Sequence, residues 1–379
     1  MNRSDIGEIR RRLQPEKTNC DRICGCYVDA QRIVRGRFCL APFDINEETF
    51  SAYLSVFRRV LGGSLGRNLL NLEFNPVEVQ DSEKHSLLMS LRDTRLKVPQ
   101  AVDGFFDKIA GNLKTDEAYL ILLMYDVLGA KKRDDNEIEE DDATQFSYLL
   151  CAVCPLKMQK TGLCYDNANG DFRIKDAVLN VSAPTLGFMF PAYEEGGANF
   201  YASLYYTKDT DENREDFIGT VFGLPVPMAA TQQKETFDEL LSESLGNDCN
   251  LELVQNVQEQ LRTKSEAVKS DRNANMPTTS KSEVAAILEE NGVAREHISA
   301  FEEAYSEAFG DEELSIGNLV PKKQTELRTP DVIIRVKPDR NDLVQTRIID
   351  GMKYILINAN EGVEINGVSI AVDDLGEDI

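Results

Sequence analysis

The sequence predicts an α+β protein: a mainly antiparallel N-terminal sheet flanked by helices, a helical connector, and a C-terminal helical hairpin plus a small antiparallel β module. Three observations predict it. Strand-like apolar runs follow one another between residues 119 and 207 without helices among them, which suits an antiparallel meander better than βαβ alternation. Long helical patterns take over past Pro225 and Pro227. Asp350-Gly351 and Asn366-Gly367 then separate short apolar runs, the strongest short hairpin signals a sequence carries. At 379 residues the chain exceeds the size at which one core keeps growing, and the predicted domain boundaries are 1–228, 229–278 and 279–379.

Taken in order, residues 5–13 form a short amphipathic helix, and Ile23–Val28 with Ile33–Leu40 alternate as a hairpin. Asn46 caps a helix over 47–61 with a buried face at Phe50, Tyr53, Leu54 and Phe57, and Gly62-Gly63 stops it. A strand at 68–74 and helices at 81–92 and 99–112 follow. Tyr119–Tyr125 and Phe146–Cys154 are continuous apolar runs of the kind covered on both faces, and the acidic DDNEIEEDD of 134–142 joins them as a solvated loop. Strands at 162–165, 185–191 and 200–207 extend the meander. Beyond them come helices at 232–245 and 250–268, the polar linker SDRNANMPTTS, and a helical hairpin begun by the capping-box spacing Ser280/Glu283.

Composition narrows the chemistry. Asp plus Glu number 65 against 42 Lys plus Arg, and the net charge of -23 works against adsorption to nucleic acid or anionic lipid. Residues 1–40 run the other way, with a local excess of basic groups. Arg10, Arg11, Arg12, Lys17 and Arg22 are the candidates for nucleic-acid phosphate contacts, although a decorated helix end and sheet edge explains them as well. No run reaches the ~20 apolar residues that a bilayer span needs, and MNRSDIGEIRRRLQPEK lacks a leader's apolar core. The expected location is cytoplasmic, with the eight cysteines reduced and no structural disulfide.

Two histidines and no Trp leave few groups that trade protons near neutral pH. His85 and His297 are both expected at the surface. Cys151-x-x-Cys154 has metal-ligand spacing, but on an extended strand the two thiols point to opposite faces, whereas Cys24 and Cys26 share one. In LGGSLGRN, residues 61–68, the glycines leave a helix and enter a strand, the reverse of a phosphate loop. Glu73, Asp93 and Asp126 lie near element ends where they could converge on a hard cation such as Mg²⁺.

Several segments together resemble a bacterial family recorded only as a domain of unknown function, number 4317. They are EIRRRLQPEKTNCDRICGCYV, LGGSLGRNLLNLEF, LLMSLRDTRLK, YLLCAVCPLK, LGFMFPAY with ANFYASLYYTK, and TPDVIIRVKP through RIIDGMKYILINANEGVEINGV. The resemblance implies a bacterial intracellular protein and brings no activity, cofactor or site residue. The layout is also similar in architecture to nucleoid-associated proteins, through LRDTRLK, YLILLMYD with FSYLLCAVCPLK, and FEEAYSEAFG to VIIRV, which implies nucleic-acid association.

The residues therefore lead to a noncatalytic interaction or regulatory protein, with protein partners or self-association, no membrane and no cofactor or metal. The alternatives are a nucleic-acid-binding protein using the N-terminal arginines and a carboxylate-metal hydrolase using Glu73, Asp93 and Asp126.

Overall fold

The two apolar runs become the central strands of a sheet that is covered on both faces. The structure is a computed structural model and describes residues 1–77, 79–129, 145–159, 162–166, 170–175, 178–194, 196–269, 276–321 and 324–371. The acidic stretch 134–142 and residues 270–275 of the expected linker lie outside the described residues. The chain divides into two compact units, 1–235 with 267–277 and 236–266 with 278–379.

The first unit opens with α1 (Arg3–Arg12), β1 (Arg22–Val28), β2 (Val34–Leu40), α2 (Glu47–Val60) and β3 (Leu69–Glu73). Helices α3 (Glu83–Asp93) and α4 (Pro99–Asn112) lead to β4 (Tyr119–Leu128) and β5 (Phe146–Gln159). Then come β6 (Gly162–Asp166), β7 (Asp171–Lys175), β8 (Val178–Val181) and β9 (Leu186–Phe190). The small hairpin β10 (Ala192–Glu194) and β11 (Gly197–Asn199), β12 (Ala202–Thr207) and α5 (Glu215–Val221) complete it.

The main sheet runs β2-β1-β4-β5-β9-β12-β3, with β8 added to the outer part of β5, and every pairing in it is antiparallel. Period-two alternation sorts its side chains into two cores. Ile121, Leu123, Leu149, Cys151 and Val153 face α3, α4 and α5, packing with Leu88, Phe105, Phe106 and Phe217. Leu122, Met124, Tyr148, Leu150, Ala152 and Cys154 face α1 and α2, packing with Ile9, Leu54 and Phe57. Helix α2 starts where expected, Asn46 Oδ1 accepting from the Thr49 N–H at 2.8 Å, and buries Phe50, Leu54, Phe57 and Val60. The strand expected at 162–165 exists, but it pairs with β7 in a separate hairpin and is not a member of the main sheet.

In the second unit, which holds most of α6 (Ala230–Leu245) and α7 (Leu251–Lys269), β13 (Thr278–Thr279) precedes α8 (Lys281–Glu290) and α9 (Arg295–Phe309). β14 (Leu314–Ser315), which pairs with β13, and α10 (Ile316–Leu319) follow. The capping box forms as read: Ser280 N–H donates to Glu283 Oε2 at 2.9 Å, and Glu283 N–H donates to Ser280 Oγ at 3.3 Å. The antiparallel module is three separate two-stranded hairpins: β15 (Thr325–Arg328) with β16 (Ile333–Val336), β17 (Val344–Ile349) with β18 (Met352–Ile357), and β19 (Val363–Ile365) with β20 (Val368–Ile370). Asp350-Gly351 has φ of 51° and 77°, and Asn366-Gly367 has 53° and 83°. Both turns thus need the left-handed pair that Asp-Gly and Asn-Gly supply.

Two expectations are corrected here. Cys24 and Cys39 are joined in a disulfide, not reduced, because the β1–β2 register sets them directly opposite each other. His85 is buried, not at the surface. The ring packs against Phe74 and Phe190, and Nε2 meets the Phe200 carbonyl oxygen at 2.8 Å. Helix α3 lies on the sheet through this side, so its third residue faces inward.

Gly187 of β9 sits where an added Cβ would lie 2.4 Å from the Cys151 carbonyl oxygen and 2.8 Å from Val60 Cγ1. Gly187→Ala should therefore cost about 1–3 kcal/mol through forced displacement of α2 or β5, read as a lower midpoint in denaturant or thermal unfolding. Thiol titration of the denatured chain should give six free cysteines, rising to eight after reduction. Eight before reduction would show that the Cys24–Cys39 bond does not persist.

Candidate functional site

Three arrangements in the first unit can be compared as sites: the predicted polar residues, a charged groove and an apolar ribbon.

The predicted acids are not brought together. Asp126 lies on β4 directly across from Tyr148 and is only 2 % exposed. Its Oδ2 accepts from the Tyr148 hydroxyl at 2.6 Å, and its Oδ1 accepts from the N–H groups of Asn19 at 2.9 Å and Val127 at 2.8 Å. Burial pushes this carboxyl up, opposed by the Tyr148 hydroxyl and those N–H donors. It is a hydrogen-bonded structural acid. Asp93 is instead paired with Arg92 on the surface of α3, and Glu73 is exposed at the end of β3. Among the described residues no group of three His, Cys, Asp or Glu is placed to hold a metal ion. The three acids therefore do not converge as the hydrolase alternative requires: alternation along β4 turns Asp126 into a core, whereas Asp93 ends α3 and Glu73 ends β3 in solvent.

The thiols of Cys151 and Cys154 enter opposite cores, as strand geometry requires. Burial pushes both up, Cys154 to about 12, so neither is a ready thiolate. Gly62 and Gly63 follow the end of α2, with the Gly62 N–H on the Arg59 carbonyl, and lead into β3. His297 Nδ1 meets Asp248 Oδ2 at 2.8 Å. Arg10, Arg11 and Arg12 form the last turn of α1, where cations complement the helix dipole. Lys17 is exposed just beyond it, and Arg22 opens β1 half-buried.

A groove of about 870 Å³ runs beside α3, α4 and α5, lined by Lys84, Lys108, Lys114, Arg214, Glu215 and Asp216 among others. Several of its charges are already engaged. Lys84 Nζ donates to the Gly219 carbonyl at 2.5 Å, and Arg214 donates both to Asp216 and to the Lys114 carbonyl. Burial pushes Asp216 up, but the Arg214 guanidinium and the Lys114 and Phe217 N–H groups outweigh it and hold the carboxyl below its usual range. These contacts fasten α5 to the loop after α4.

The third arrangement is of a different kind. The β5–β8 and β6–β7 pairings follow one another along the chain as two separate ladders of an apolar ribbon, with residues 160–161 and 176–177 between them outside the described residues. In β6–β7, Leu163 lies opposite Ile174 and Tyr165 opposite Phe172. The period of two puts all four on one face, while Cys164 and Arg173 take the other. The Tyr165 and Phe172 rings meet edge to face at 5.3 Å. On β5–β8, Leu156 with Val181 and Met158 with Leu179 likewise share a face, and Lys157 with Asn180 share the opposite one. The apolar face of β6–β7 is uncovered: Leu163 is 70 % exposed, Tyr165 55 %, Phe172 65 % and Ile174 74 %. Clean apolar and polar alternation belongs to a sheet with one face on a core, yet these side chains join neither core among the described residues.

The C-terminal hairpins also expose apolar groups, but without that order. On β17–β18, Ile348 faces Lys353, and Met352 and Tyr354 stand on the same face as Arg347. The sequence reading caught only the first strand of the ribbon. The missed signal was Asn169-Gly170 between two short alternating runs, LCYD and DFRIK.

Asp216→Asn should destabilise the protein by about 1–2 kcal/mol at pH 7, because the Arg214 guanidinium and the Lys114 and Phe217 N–H groups lose a charged acceptor. Since its folded pKa is depressed, that contribution is present above the unfolded carboxylate value near ~4 and disappears as pH falls below it. Wild-type and variant unfolding midpoints should accordingly converge in acid.

No helix among the described residues is long and apolar enough to cross a membrane. No curated protein matches the chain. No solved structure matches it either. A family model does match, over residues 1–368, which takes in the sheet unit with its ribbon, the first two C-terminal hairpins and the third as far as Val368. The chain belongs to this family, the domain of unknown function DUF4317.

Proposed function

We propose that this is a noncatalytic interaction protein of the bacterial cytoplasm, and that the ribbon formed by β5–β8 and β6–β7 is where it meets another protein chain. The observation that carries this reading is the ordered apolar face of β6–β7. Four large side chains share it, each more than half exposed. Water-exposed apolar surface of this size and regularity marks binding surfaces, and an isolated two-stranded hairpin is marginal in water without something packed on it. The dispersed acids and the inert buried thiols fit the same reading, because the polar groups that catalysis would use serve the fold.

The test is affinity purification of the tagged chain from its native cells, with the bound material analysed for both protein and nucleic acid. The wild type should retain a protein partner in near-stoichiometric amount, and Leu163→Asp with Ile174→Asp should lower it at least tenfold. Nucleic acid as the main component, lost on charge reversal at Arg10, Arg11 and Arg12, would replace this reading with the nucleic-acid alternative.

A further inference from the structure

We infer that the partner on the ribbon is a second copy of this chain, the apolar faces of two β6–β7 hairpins packing on each other about a two-fold axis. This rests on the interaction reading and names its partner.

Size is the first argument. The exposed parts of Leu163, Tyr165, Phe172 and Ile174 amount to roughly 500–600 Å² on each copy, so that two copies would cover roughly 1,000–1,200 Å² in total. A specific interface needs about 1,000 Å² in total, counted over both partners. One face meeting its own copy supplies both halves of such a contact.

Charge is the second. Residues 156–181 carry four Lys or Arg (157, 160, 173, 175) and three Asp (166, 171, 176), a balance of +1 within a chain of -23. Two copies approaching through most other surfaces bring strongly like-charged bodies together, which costs association free energy. At the ribbon that repulsion is locally absent. A basic or acidic partner would find no matching patch on this face, since Leu163, Tyr165, Phe172 and Ile174 are all uncharged.

Symmetry is the third. An isologous contact requires a patch complementary to itself, and a row of cross-strand apolar pairs meets this, because two such rows interdigitate as the inner faces of a sandwich do. Arg173, paired with Asp171, stays on the outer, solvated face.

Sedimentation velocity on the purified full chain tests this. The wild type should sediment at twice 42.5 kDa in the micromolar range. Leu163→Asp and Ile174→Asp should each weaken the dimer at least tenfold, while Cys164→Ser on the opposite face should leave it unchanged. The substituted side chains lie outside both cores, so thermal midpoints measured at a concentration where all are monomeric should agree. Hydrogen exchange of the β6 and β7 amides gives a readout free of mutation and should slow as wild-type concentration rises. A wild type that stays monomeric to roughly 100 µM, a dimer that survives both aspartates, or exchange independent of concentration overturns the inference. The interaction reading fails separately: a monomer that still captures a different protein through Leu163 and Ile174 overturns the dimer alone, whereas capture unaffected by the aspartates overturns the reading.

Discussion

Everything in the first unit depends on β4 and β5 being buried on both faces. Their ten-rung antiparallel ladder, Tyr119 to Pro155 through Leu128 to Phe146, lies at the middle of the sheet, and each strand sends alternate side chains into a different core. A fully buried Leu or Phe contributes about 1.5–3 kcal/mol, and here one strand pair supplies such residues to both helical layers at once. The helices have no other reason to dock. Helices α1 and α2 on one side and α3, α4 and α5 on the other bury their apolar stripes against these strands and their neighbours, and Gly187 lets α2 approach β9 at Val60. Even the polar exception obeys the ladder: Asp126 is tolerated in this layer because its cross-strand partner is Tyr148, whose hydroxyl reaches it.

The ribbon follows from the same strand. β5 is 14 residues long, and its first nine are almost entirely buried, while its last three are exposed. The ladder with β4 ends at Pro155, and β8 takes over as the partner from Leu156 onward. Past that point apolar and polar residues still alternate within each ladder, Leu156 and Met158 in the first and Leu163 and Tyr165 in the second, but neither core among the described residues takes in the side chains of β6–β7. The proposed interaction surface thus follows directly on the longest strand of the main sheet, where that strand leaves the two cores. A binding surface built on such a strand loses less conformational entropy on association than one carried on a loop.

This explains what the sequence could and could not reveal. The central strands were legible because a two-sided core demands unbroken apolar runs, and YLILLMYD and FSYLLCAVC satisfy that demand in plain view. The hairpin turns at 350–351 and 366–367 were legible because left-handed φ pairs recruit Asp-Gly and Asn-Gly. The ribbon was half hidden: its strands are five residues long with only two large apolar residues each, too short for periodicity to stand out beside the long runs. His85 was misplaced since nothing local tells which side of α3 meets the sheet, and the answer lies 115 residues away at the Phe200 carbonyl. The Cys24–Cys39 bond was missed for a related reason. The hairpin itself was read correctly, but its register, which alone pairs those two residues, depends on the bulge between Tyr27 and Val28.

The edges of the main sheet show that exposure at the ribbon is not general neglect. β2 is an edge strand and therefore exposes unpaired backbone groups. It carries Arg35, paired with Asp29, and Arg37, which reaches Asp103 at 3.3 Å and also contacts Asp107. β3, at the other edge, turns Asn71 and Glu73 outward. Charged and amide side chains of this kind discourage a second chain from docking. On the apolar face of β6–β7 the same positions hold Leu, Tyr, Phe and Ile, and Arg173 is placed on the far side. The contrast between guarded sheet edges and this unguarded face is what the proposed interface would explain.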